Sequence, residues 1–307
     1  MKRFLRLLCA AFWCMWCLSA CAEEFSVLDA GGGLFLAEGS EQTENSYRSR
    51  NVAVVIETQR YEKSDVYTAH VYLRSAESFR RAFGGGEWGR NSEKLTALAQ
   101  KNGAVLALTG DSGHHFKAGF EVGNGVLERA RGNNVRDLCV LYKDGRMETY
   151  YAKVDHERIA RETDEGLIWQ TFVFGPALLD ENGKAIEDFS SSDVRAANPR
   201  AVIGYFEPGH YCLVQIDGRG TESALEAKKS SRGLTLEQTA RLMESLGCTA
   251  AYNLDGGQSA AMWFGGEVIS TPYRGGRTVG DAIVICDMQE VTEASEAYEV
   301  SLFEVAD

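Results

Sequence analysis

Positive charge is scarce in this chain. Lys and Arg number 32 against 44 Asp and Glu in 307 residues, for a formal net charge of −12. Nucleic-acid phosphates are held by Lys and Arg, so this balance argues against a nucleic-acid partner while leaving room for a local basic pocket. Zinc-type spacing is missing too: there are five His, and no Cys/His grouping follows a zinc-site pattern. The apolar run from Leu7 to Leu18 falls short of the roughly 20 residues that a membrane-spanning helix needs.

That short run still carries information. Lys2, Arg3 and Arg6 precede it, small residues lead to Cys21, and Glu23-Glu24 closes the segment. A basic head, an apolar middle and a small-residue exit form the signal-peptide pattern, so residues 1–21 are expected to be a leader. Leu18-Ser19-Ala20-Cys21 resembles a lipobox that would leave Cys21 lipidated, and Ala20-Cys21-Ala22 also fits ordinary cleavage after Ala22. The expected location is extracytoplasmic, secreted or lipid-anchored at the cell surface. Membrane contact is expected only through this segment or a lipid at Cys21, and stable anchoring takes more than one chain. Losing three positive charges with the leader would take the formal charge from −12 to −15. The same cut removes Cys9, Cys14, Cys17 and Cys21, so Cys14-Met15-Trp16-Cys17 matches a redox motif only by accident. Cys139, Cys212, Cys248 and Cys286 remain, open to disulfide pairing or burial as thiols.

Residues 22–50 are polar and Gly-rich and are expected to be a tether or loosely held arm. Residues 51–287 are expected to form the domain, and 288–307 an acidic tail with no clear role. Apolar runs predict strands at 52–58, 66–73, 104–108, 119–127, 137–142, 200–206, 211–216, 249–252 and 282–286. Ser92 is the expected N-cap of one helix, which Gly103 ends. Thr235, with Gln238 three residues on, is the capping box of another, which Gly247 ends. A capped helix, a Gly stop, a short strand and a turn joining Asp to Gly thus occur at 92–111 and again at 235–257, a weak internal symmetry. The predicted class is α+β, with a mixed β-sheet core and a few packed helices.

Chemistry is expected at the strand ends. Asp111, Asp217 and Asp255 each follow an apolar strand and adjoin Gly. A rigid sheet can deliver carboxylates to one rim in this way. Asp-Gly is also a common turn dipeptide, and Lys143-Asp144-Gly145-Arg146 is read as a plain hairpin turn. Asp255 is different, because Asn253, Gln258 and Ser259 flank it between two apolar stretches, and such a polar cluster is costly unless satisfied or used. Arg200, Arg219 and Arg277 are forks suited to phosphate or carboxylate, or plain surface salt bridges. His114-His115 follows Asp111. If the pair lies on a strand, only one ring can face the rim, and His115 is taken as the candidate.

Ordered along the chain are Ala107-Leu108-Thr109-Gly110-Asp111, Gly175-Pro176-Ala177-Leu178, Asn198-Pro199-Arg200-Ala201, Val214-Gln215-Ile216-Asp217-Gly218-Arg219, Gly233-Leu234-Thr235-Leu236 and Asn253-Leu254-Asp255-Gly256-Gly257-Gln258-Ser259. Together with Arg277 and Ala282-Ile283-Val284 they resemble the phosphodiester glycosidase family over roughly 51–287. Thr109 and Gln258 stand where members usually carry Asn and Gly, and the 112–116 stretch is unlike the aromatic pair common there. The resemblance implies hydrolysis of a sugar-phosphate junction in a phosphodiester-linked sugar or glycan. On that chemistry Asp255 is read as the base or nucleophile, and Asp111 as a second carboxylate or sugar anchor. Substrate binding would fall to Arg200, Asp217, Arg219, Asn253, Gly256, Gly257, Gln258, Ser259, Arg277 and His115, with Arg200 and Arg219 clamping phosphate. The amides near Gly256 and Gly257 would add anion contacts. No cofactor is required, although the three Asp are hard ligands that could take calcium or magnesium. The competing readings are a non-catalytic polysaccharide-binding or exopolysaccharide-assembly protein, and a wall-associated structural protein without a pocket.

Overall fold

Side-chain alternation stacks this chain into layers. The computed structural model describes residues 25–131, 137–150 and 155–288. The expected leader, Cys21 and residues 289–307 lie outside the described residues. The larger sheet runs, edge to edge, Ser40–Gln42, Ser46–Ser49, Val52–Tyr61, Ser64–Leu73, His210–Ile216, Arg200–Glu207 and Ala250–Asn253. A second sheet runs Glu267–Val268, Met262–Phe264, Ala104–Thr109, Asp281–Cys286 and Phe79–Phe83. A three-stranded sheet has Leu138–Tyr142 between Met147–Tyr150 and Ile168–Phe172.

The period of two decides which layer each residue joins. In His210–Ile216, Tyr211 and Leu213 enter a core shared by the two large sheets, while Cys212, Val214 and Ile216 face the other way. That outer face is covered by Leu236, Ala240 and Met243 of helix α3, Leu236–Ser245. In Ala104–Thr109, Leu106 and Leu108 enter the shared core, and Ala107 turns outward to Leu95, Leu98 and Ala99 of helix α1, Leu95–Lys101. The layers are therefore helix, sheet, sheet, helix. A one-residue register slip would exchange the faces of a whole strand.

The α+β class expected is the class found: the described residues form mostly open sheets, with three α-helices among them. Every pairing between the described strands is antiparallel, where a mixed sheet was expected. The expected internal symmetry has a structural form. Each helix covers the outer face of one large sheet, and the strand that follows it runs toward Asp111 or Asp255.

Several expectations need correction. Within the expected tether, Ser40–Gln42 and Ser46–Ser49 form a hairpin that pairs with Val52–Tyr61, because an open sheet edge offers unmet backbone bonds. Ser92 does not cap α1; Lys94 occupies that position without a side-chain bond, and Ser92 Oγ meets Thr278 Oγ1 at 3.0 Å. Helix α2, His156–Asp164, was not anticipated: it has one buried residue, Ile159, so its apolar signal is faint. All four described cysteines are buried thiols, and Cys212 and Cys248 bring their Sγ atoms to 3.7 Å.

The capping box of α3 is complete. Gln238 N donates to Thr235 Oγ1 at 3.2 Å, and Thr235 N donates to Gln238 Oε1 at 2.9 Å. Thr235→Ala should lower stability by about 1 kcal/mol, measured by urea denaturation. No loss would mean that the cap contributes nothing to the fold.

Candidate active site

Asp255 lies where the chain passes from one sheet to the other. After Ala250–Asn253, Leu254 N donates to Ala201 O at 2.8 Å within the larger sheet. Asp255 N then donates to Gly110 O at 3.2 Å, at the end of a strand of the second sheet. The chain goes on into Met262–Phe264. The close approach requires glycine: a Cβ on Gly256 would fall 2.6 Å from Pro199 O, and Gly257 has φ +64°.

The two oxygens of the Asp255 carboxylate are held differently. Oδ2 accepts Ser112 Oγ at 3.0 Å and Arg277 Nη2 at 3.2 Å. Arg277 is itself oriented by its Nε, which donates to Ser259 Oγ at 2.6 Å. Oδ1 accepts from no group among the described residues. Two cavities meet at this pair. One, of about 290 Å³, is lined by Asn198, Arg200, Arg219, Asn253 and Gln258. The other, of about 520 Å³, is lined by Arg90, Asn91, Ser112, His114, His115 and Thr278. Asp255 and Arg277 line both.

The smaller cavity suits an anion. Arg219 reaches over Gly257, lies 5.3 Å from the centre of the Tyr273 ring and donates from Nε to Asn198 Oδ1 at 3.0 Å, while its terminal nitrogens meet no acceptor among the described residues. The amides of Gly256 and Gln258 meet no acceptor among the described residues. The Gly257 amide, expected to share this task, is already bonded to Pro199 O at 2.9 Å.

Arg200 lines the same cavity but is not the free clamp expected. Its Nε donates to Leu234 O at 2.7 Å, its Nη2 to Val194 O at 2.9 Å and Ala196 O at 2.7 Å, and its Nη1 to Asn253 Oδ1 at 3.2 Å. Burial pulls its guanidinium down to about 10. Asn253 is likewise committed, donating from Nδ2 to Gly175 O at 2.8 Å. These two residues build the cavity wall and lend it positive potential.

Two proposed carboxylates lie outside the cavities. Asp111, expected to be catalytic, is fully buried, and its oxygens accept the amides of Val173 at 2.8 Å and Phe174 at 2.9 Å. Burial, followed by the nearby charge of Glu121, pushes the Asp111 carboxyl upward. Asp217, expected to bind substrate, accepts Thr271 N at 2.9 Å and Gln215 Nε2 at 3.3 Å, and burial pushes it up to about 6. It fixes the 270–271 loop. Ser259 acts on Arg277 and does not line either cavity. Among the described residues no group of three or more His, Cys, Asp or Glu side chains is placed to hold a metal ion.

The histidines also differ from expectation. Gly113–His115 is a 3-10 turn rather than a strand, so both rings face the larger cavity, with centroids 4.0 Å apart. Residues the sequence reading passed over matter as well. Asp281 follows Gly280 as Asp111 follows Gly110, and that repeated dipeptide was the available signal. Ser112 stands in the left-handed region at φ +51°, beside the motif that had been noted. Arg81, in Phe79–Phe83, has no local signal at all.

Residues 96–286 match the family model of phosphodiester glycosidases. The chain belongs to the phosphodiester glycosidase family. Membership brings with it the coarse class of a glycosidase-type hydrolase. Among solved structures, the zebrafish N-acetylglucosamine-1-phosphodiester alpha-N-acetylglucosaminidase catalytic domain, auto-inhibited by its pro-peptide, shares the fold with a TM-score of 0.59 and 18% identity, over 77% of this chain and 83% of that one. A hypothetical protein from Synechocystis also has a TM-score of 0.59, at 12% identity, over 81% of this chain and 64% of that one. The SPbeta prophage-derived uncharacterized protein YomE of Bacillus subtilis (strain 168) is 27% identical over 212 residues, 66% of this chain. The chain spans only 31% of that relative's length.

Under the site lies a buried charge cluster. Arg81 donates to Asp281 Oδ2 from Nε at 3.0 Å and from Nη2 at 2.8 Å, and Nη2 reaches Glu121 Oε1 at 3.1 Å. Asp281 in turn accepts the amides of Asp111 at 3.0 Å and Ser112 at 2.7 Å. Arg81→Met would leave the Asp111, Glu121 and Asp281 carboxylates short of their central cation. Stability should fall by about 3–5 kcal/mol in urea denaturation. An unchanged midpoint would show that the cluster does not depend on Arg81.

Proposed function

We propose that this chain is an extracytoplasmic hydrolase that releases a sugar from a sugar-1-phosphodiester on a glycan or envelope polymer. The observation that carries the reading is the Asp255–Arg277 pair on the wall between two cavities, with Asp255 Oδ1 bonded to no group among the described residues. The phosphate occupies the smaller cavity, beside Arg219, Arg277 and the amides of Gly256 and Gln258. The sugar occupies the larger one. The C1–O bond then crosses Asp255.

The chemistry follows from this placement. Water adds its oxygen to C1 and the C1–O bond breaks, with its electron pair leaving on the phosphate. Asp255 Oδ1 assists from the side of C1 and takes the proton that the water loses. A phosphate leaves as a stable anion, so the site can work without a strong general acid. Preorganised cations and amides lower the barrier by meeting charge where it develops. The name of the zebrafish relative, an N-acetylglucosamine-1-phosphodiester glycosidase, supports a hexose-type sugar joined through C1, without fixing the substituents on its ring. The leader pattern at 1–21 supports an extracytoplasmic setting, with a lipid at Cys21 as the proposed anchor.

Asp255→Asn should cut turnover of a sugar-1-phosphodiester by roughly a thousandfold or more while the melting temperature stays near that of the parent. Turnover is read as free sugar released. Undiminished release would falsify the assignment of Asp255. Retention of glycan by the parent chain without any release would favour the rival binding-module reading.

A further inference from the structure

The larger cavity has a charge pattern that the surface as a whole lacks. Acidic residues outnumber basic ones by 44 to 32 over the chain. Yet the wall of this cavity carries two guanidinium groups, Arg90 and Arg277, against a single carboxylate, Asp255, and adds two imidazoles, His114 and His115, that can donate or take up a proton. Glu87, which pairs with Arg90, does not line it. Both partners of that pair are 62% exposed, and ion pairs in that setting are weak enough for an arriving ligand to replace. Glu93 faces elsewhere, with Oε1 accepting Gly85 N and Oε2 bound to Lys101.

The two imidazoles are also built into place. His114 rests on the backbone of Gly280, where any Cβ would fall on the ring, and it stands against Gly89 at the other side. His115 lies over it, and burial together with that neighbouring ring disfavours a charge on His114. An anion between these rings and Arg90 would remove that cost. A neutral sugar hydroxyl would not.

We infer that Arg90, His114 and His115 form a subsite for a second oxyanion, so that the sugar released is itself acidic. The inference rests on the reading that places the phosphate in the smaller cavity and the sugar in the larger one. The substrate is then anionic on both sides of Asp255: a phosphodiester on one side, and on the other a sugar bearing a carboxylate, or a phosphate or sulfate ester. Two separated positive pockets in an acidic protein also favour such a substrate over neutral glycans during encounter.

The test compares glucose-1-phosphodiester, glucuronic-acid-1-phosphodiester and the 6-sulfate of the glucose compound, all with one leaving alcohol. The parent chain should favour an acidic sugar by roughly tenfold or more in kcat/KM, the scale of one charge-assisted contact. In Arg90→Ala/His115→Ala, both of them exposed positions, that preference should collapse toward parity through KM. A preference for the carboxylate or for the ester names the oxyanion, and either supports the subsite. Preference for the neutral sugar, or a preference untouched by the double variant, overturns it. If no compound is cleaved, the hydrolysis reading fails and the subsite is judged by binding alone. Glucuronate, and not glucose, should then shift the imidazole NMR signals of His114 and His115 in the intact chain, and absence of that shift overturns the subsite.

Discussion

A buried ion pair, Arg81 with Asp281, sets where the reactive loop can lie. Asp281 begins a strand of the second sheet and accepts two bonds from Arg81 together with the amides of Asp111 and Ser112. Those amides fix the turn from which Ser112 Oγ reaches Asp255. Burying charges is costly unless each is paired and hydrogen-bonded, and here each contact also places backbone. The site therefore inherits its geometry from charges that substrate never meets. Asp111 belongs to this foundation, which is why a carboxylate at a strand end next to Gly proved structural.

Asp255 is reached from both sheets at once. Its amide is bonded to the second sheet, while the residue before it is bonded to the larger one. Gly256 lets the turn press against Pro199 where a side chain would collide. Ser259 holds Arg277, and Thr109 Oγ1 holds the carbonyl of Ser259 at 2.6 Å. Thr109, where the family resemblance led one to expect Asn, thus makes a short bond of its own to this loop. Positioning is thus passed along a chain of small polar contacts within the protein, from the buried Thr109 to the half-exposed Arg277.

The sequence made legible what depends on local pattern. Period-two alternation located the strands that enclose the core, and the Thr235–Gln238 capping box located α3. The polar cluster from Asn253 to Ser259 pointed to the part of the site around Asp255. What the pattern could not show is which polar groups are already spent. Arg200 looks like an anion clamp in sequence, and only the fold reveals the carbonyls of Val194, Ala196 and Leu234 around it. Asp217 was read as a ligand for the same reason and turned out to serve Thr271. The histidines went astray through an assumed strand, since a 3-10 turn brings neighbouring side chains to one side. Arg81 is silent in sequence because its partners, Asp281 and Glu121, lie far along the chain.

The central claim is that the bond broken lies between the sugar and the phosphate oxygen, on the sugar side, at Asp255. Hydrolysis of a sugar-1-phosphodiester in ¹⁸O-labelled water, followed by mass spectrometry of the phosphate product, tests this most directly. Attack at C1 predicts a phosphate free of label. A phosphate that carries one ¹⁸O would show attack at phosphorus and contradict the account.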